Sequence, residues 1–83
     1  MFYVIRKIRS SGISQYHKIL QNERADPWVT LDDADHFETI EGVTHAFKSL
    51  CGYHKAGNRA KLQLIEVEDN MNMKFIDEKS IEE

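Results

Sequence analysis

One segment of this chain keeps a helical period for several turns: Ile40, Val43, Ala46, Phe47 and Leu50 recur at spacings of three and four. A lone amphipathic helix cannot bury its own apolar stripe. The rest of the chain must therefore supply a sheet for it to lie on. Thr39 stands at the entry of this helix as its N-cap, and Gly52 follows Cys51 where a left-handed C-cap is expected.

Strand material flanks the helix in sequence. "FYVIRKIR" (residues 2–9) is β-branched and aromatic, and Ser10, Ser11 and Gly12 close it with a turn. "ISQYHKIL" (residues 13–20) then returns as an antiparallel partner, although Ile13, Tyr16, Ile19 and Leu20 also fit a helical spacing. Pro27 interrupts any helix before "WVTL", a brief extended piece, and Asp32 or Asp33 caps a single turn leading to Ala34. "HFE" resumes an extended path. After the helix, "GYHKAGNRA" reads as a loop. "KLQLIEVE" (residues 61–68) is a strand with Gln63, Ile65 and Val67 on one face and Leu62, Leu64 and Glu66 on the other. Residues 69–83 are weakly patterned, an acidic tail or a short edge strand near residues 73–76.

The order strand, strand, irregular segment, helix, strand predicts an α+β fold. It is a small, mainly antiparallel sheet of three to four strands with one helix packed on one face through Val43, Phe47 and Leu50. Residues 1–68 form the single domain. At 83 residues the chain is close to the size below which one core needs staples, and Cys51, its only cysteine, cannot form an internal disulfide. No apolar run approaches the roughly 18 residues of a membrane span, and the start lacks the features of a signal peptide. These features predict a cytoplasmic protein with no membrane association.

The net charge of −3 conceals a gradient: residues 1–24 carry +4, residues 25–68 carry −4 and residues 69–83 carry −3. The steepest part is "DPWVTLDDADHFETIEG" (residues 26–42), which holds six acids, the only proline and the only tryptophan, and no Lys or Arg. Two readings compete for Asp32, Asp33, Asp35, Glu38 and Glu41. They cap turns, favour the helix N-terminus and meet water. Alternatively they present an electrostatic face to a basic partner, with Trp28 as an anchor beside it. Trp28 also has a structural reading, as the residue that closes one end of the core.

The other chemistries find little support. Cys51 and His54 are three apart, but the helix is expected to end between them, so Cys51 reads as a small buried hydrophobe rather than a nucleophile. His17, His36, His45, His54 and Cys51 offer metal-ligand types without metal-ligand spacing, and such histidines usually face solvent. No metal, cofactor or catalytic group is expected. Tyr3, Arg6, Lys7, Arg9, Tyr16, His17 and Lys18 make a small basic and aromatic patch on a chain of pI ≈ 5.8, too few cations for firm direct nucleic-acid binding. Arg6, Arg9, Lys18, Arg59 and Lys61 define an alternative anion-binding set, as in an oligomeric module that sequesters a signalling nucleotide. A sheet this small also leaves edges that a second copy can pair with.

The residues Tyr3 to Lys7, Trp28, Asp33, Ala34, Phe37, Thr39, Phe47 and Leu62 to Val67 resemble a recurring type of small protein encoded by phages and prophages. In that type an initial "YVIK" strand precedes a Trp and an Asp-Ala-x-x-Phe segment, then a helix and a closing "L-x-I-V-E-V" strand. The resemblance covers residues 2–68 and departs at Gly42 and Val43, where a Glu-Ala pair is more usual. It implies a ββαβ core and a non-enzymatic accessory role. Proteins of this size in phages often bind and disable a host enzyme or defence complex, as anti-CRISPR inhibitors do. The resulting expectation is a cytoplasmic inhibitor of a bacterial defence or nucleic-acid-processing protein, docking by its acidic face.

Overall fold

A computed structural model describes residues 1–19 and 27–82. It contains β1 (Phe2–Ile8), β2 (Ser14–His17), β3 (Trp28–Val29), α1 (Ile40–Tyr53), β4 (Ala56–Val67) and β5 (Met73–Ile81). The strands form one antiparallel sheet in the order β3-β2-β1-β4-β5. The α+β class and the single helix on one face are as expected, but the sheet has five strands rather than three to four.

β1 lies at the centre because both its faces are apolar: Val4 and Ile5 are each fully buried, on opposite sides. The turn to β2 needs a left-handed residue, which Gly12 supplies at φ 88°. The Gly12 N–H donates to Arg9 O at 2.9 Å, and the Arg9 N–H donates to Ile13 O at 2.9 Å. β2 is shorter than residues 13–20 suggested, and the end of that expected strand falls outside the described residues.

The helix begins where Thr39 Oγ1 accepts from the Gly42 N–H at 3.1 Å, the expected cap. Its C-terminus differs from expectation. Gly52 stays within the helix, and His54 ends it in an extended conformation, its backbone N–H and its Nδ1 both donating to Leu50 O. A side chain thus satisfies the terminal carbonyl that a left-handed glycine was expected to serve. Val43 and Phe47 are buried on the sheet beside Ile5, Leu62 and Leu64, each worth about 1.5–3 kcal/mol of transfer free energy.

β4 starts five residues earlier than residues 61–68 implied, so part of the expected loop is strand. Ala56 and Ala60 both align with Ile81, which sets residues 57–59 outside the regular ladder. Gly57 lies so close to β5's end that an added Cβ would stand 2.6 Å from the Glu82 backbone nitrogen. Of the two readings of residues 69–83, the edge strand is the one that forms, longer than residues 73–76 suggested: β5 runs nine residues, and its Ile81 is fully buried in the main core. A bulge interrupts β5 at Ile76, between partners Asp77 for Leu64 and Phe75 for Ile65. That kink, together with Lys74, Asp77, Glu78 and Lys79, breaks the flat edge that a second copy would pair with.

The sheet also has a second core on the face away from the helix. Val4, Ile65 and Val67 are buried there under Phe2, Tyr16 and Leu31. The chain between β3 and α1 builds part of this cover. A turn over Thr30 to Ala34 carries Leu31 to the open face, and Phe37 pairs with Tyr3 through two backbone hydrogen bonds of 2.8 and 2.9 Å.

Candidate functional site

The acidic stretch wraps around one rim of the sheet, and its charges fall into different local settings. Asp33 accepts from the Thr30 hydroxyl at 3.3 Å, and the N–H groups of Asp33 and Ala34 donate to Thr30 O. Thr30, not Asp32 or Asp33, therefore opens this turn. The Asp35 carboxylate accepts from the Ile19 N–H at 2.7 Å while its own N–H donates to His17 O, tying the crossover to β2. Glu41 sits in the first turn of α1, where the helix dipole favours it. Asp32, Glu38 and Glu41 are exposed. The ion pairs among the described residues join the Met1 amine to Asp69 and Lys61 to Glu78 at 3.8 Å, so none of the five acids is neutralised there. Asp26, the sixth acid of the stretch, lies outside the described residues.

Trp28 is 9% exposed and belongs to the main core. The His17 ring meets it edge-on at 5.1 Å, the His54 ring at 6.4 Å, and Lys7 Nζ stands 4.9 Å above it. Its burial supports the structural reading over the anchor.

The basic set divides between the two faces of the sheet. Arg6 and Lys61 are on the open face, where Arg6 is bonded to Gln63 and Lys61 faces Glu78. Arg9 lies on the helix face, with Nε donating to Gln15 at 2.7 Å. Lys18 is half-buried beyond the end of β2, and Arg59 lies in the irregular start of β4. The fold therefore does not gather these five cations into one cradle within a single chain.

The histidines are also dispersed. His36 stacks on Phe2 at 4.0 Å and donates from Nε2 to Leu31 O. His17 and His45 share the wall of an apolar groove of about 290 Å³, bounded further by Leu50 and Tyr53. His17 Nδ1 is buried and has no partner among the described residues. Burial pushes the His17 pKa below its ordinary value, nearby Asp35 opposes the shift and His54 adds to it. Burial likewise raises the Cys51 thiol, against the pull of Lys79, which leaves it a poor nucleophile at neutral pH. Among the described residues no three His, Cys, Asp or Glu groups form a metal site.

Sequence reasoning missed the polar chain of the open face, Arg6–Gln63–Glu78, and the convergence of Arg6 and Tyr16 on Met73. The available signal was Gln63, a buried polar residue in the middle of an apolar strand. Among the described residues no helix is long and apolar enough to cross a membrane. Comparison with known protein families, curated sequences and solved structures finds no match to this chain.

Proposed function

We infer that the chain is a non-enzymatic interaction protein, a phage-type inhibitor that docks its acidic rim on a basic surface of a bacterial defence or nucleic-acid-processing protein in the host cytoplasm. One observation carries this reading. Asp32, Glu38 and Glu41 are exposed and have no cationic partner among the described residues, although the chain holds 11 Lys and Arg. An internal role accounts for Asp33 and Asp35, which close a turn and a crossover. It does not account for Asp32 and Glu38, and it accounts for Glu41 only through the helix dipole. Unpaired carboxylates of one sign on a rigid scaffold speed encounter with a cationic partner and weaken rapidly with salt.

The test is capture of the partner by tagged protein from bacterial lysate, washed at low and then high salt. The wild type is expected to retain a stoichiometric basic protein at low salt and to lose it at high salt. The triple variant Asp32→Lys, Glu38→Lys, Glu41→Lys is expected to lose that partner while still unfolding cooperatively, its melting temperature lowered only by the roughly 0.3–1 kcal/mol that Glu41 contributes at the helix N-terminus. Retention of the same partner by the triple variant removes the acidic rim from the mechanism.

A further inference from the structure

The open face of the sheet holds an arginine whose charge nothing in the described chain balances. Arg6 is half-buried, and its Nε and Nη2 both donate to Gln63 Oε1, at 2.9 and 2.6 Å. Gln63 is itself buried and is held from behind, its Nε2 donating to Glu78 Oε1 at 2.8 Å. One side of the guanidinium fork is thus clamped by a neutral amide. The other side, between Nη1 and Nη2, meets only a thioether: Nη1 points at Met73 Sδ from 3.6 Å. No carboxylate among the described residues forms an ion pair with Arg6.

A second donor converges on the same sulfur. The Tyr16 hydroxyl, across the strand pair from Arg6, lies 3.8 Å from Met73 Sδ. Thioether sulfur is a weak acceptor, and an arginine fork is matched in geometry to a carboxylate. Two donors of different strands aimed at one poor acceptor leave hydrogen-bonding capacity unspent on both. Met73 is exposed, unbranched and flexible, so it can leave at little cost. On the same face of β5 stands Phe75, 53% exposed, an apolar surface at the edge of the site.

We propose that Arg6, Tyr16 and Phe75 form a binding site for a carboxylate carried on an apolar body, which Met73 covers and the ligand displaces. The oxygens take the free fork of Arg6 and the Tyr16 hydroxyl in place of the Met73 sulfur, and the body lies on Phe75. The ligand is a monoanion because a single cation is uncompensated: Lys61, the next base on this face, already faces Glu78. A phosphate monoester brings close to two negative charges and has one cation to meet them. The site uses none of the acidic-rim residues and stands or falls independently of them.

Benzoate is the probe, read by NMR shifts of Arg6 Nε, the Met73 methyl and the Phe75 ring in the full chain. Benzoate is expected to shift all three with one saturable curve, and benzamide, uncharged and of the same shape, to bind at least about tenfold more weakly. Arg6→Lys keeps the charge and loses the fork, and is expected to weaken benzoate by about tenfold. Tyr16→Phe is expected to weaken it by a smaller factor, and Met73→Ala to leave binding as tight or tighter. The Met73 variant removes an exposed side chain and keeps the test valid if the Arg6 variant fails to fold. Equal shifts from benzamide, unchanged binding by Arg6→Lys, tighter binding of phenyl phosphate than of benzoate, or no saturable shift each overturn the assignment.

Discussion

His17 is held neutral by its surroundings, and that has a consequence for stability. Its Nδ1 is buried without a partner, its ring abuts Trp28, and Lys7 stands over the same indole. Burial and His54 depress its pKa below the ordinary 6.5, while Asp35 works the other way. The unfolded chain therefore binds a proton more readily than the folded one. The contribution of His17 is fully present above about pH 6.5 and is lost as pH falls through the lowered folded value. Denaturation followed by the single tryptophan should show stability declining from pH 7.5 to 5.5, with His17→Phe flattening that decline. Parallel curves for the two proteins would assign the pH dependence elsewhere. Neither the burial of His17 nor the clamp on Arg6 was legible from the residues themselves. A histidine or arginine in an alternating strand declares its face only when the register of its neighbours is known.

At the scale of the elements, periodicity decided what was readable. The helix, β1 and the alternation of β4 were all legible, because each puts a continuous apolar stripe against the core. β5 was legible only in part, as a short edge strand near residues 73–76, for a physical reason. It is an edge strand with six consecutive exposed residues, its period is broken by the bulge at Ile76, and its one fully buried side chain comes at its last residue. Two substitutions test how these elements are fixed. Thr39→Ala removes the cap on Gly42 and should cost about 1 kcal/mol, a fall of roughly 4–8 °C in melting temperature for a domain of this size. Gly57→Ala should cost about 1–3 kcal/mol, because its methyl would meet the backbone of Glu82 as well as its side chain, and only the side chain can move aside. Thermal melts of both variants check the pair, and a neutral Gly57→Ala would mean that the β4–β5 junction relaxes.

For the whole molecule, the expected boundary at residue 68 can be tested directly. If residues 69–83 were a tail, their removal would leave a folded domain. In this fold their removal strips β5 from β4 and takes fully buried Ile81 out of a core shared with Leu62, Leu64 and Phe47. Truncation after Glu68 should therefore abolish cooperative unfolding by circular dichroism, and a cooperative melt from the fragment would restore the tail. The open face likewise escaped the sequence reading. A single helix suggests a single core, whereas the crossover segment supplies Leu31 and Phe2 supplies a stacked ring to roof a second one.

The central position of β1 sets the order in which this chain can assemble. Its partner on one side, β2, follows after a tight turn, but its partner on the other comes from the far half of the chain, with Arg6 and Gln63 57 residues apart. The β1–β2 hairpin is therefore local and fast to form, and the closure that brings in β4 carries most of the loop entropy. Until β4 docks, the most apolar strand of the protein has one whole edge uncovered, and in that interval a chaperone or another nascent chain can compete for it.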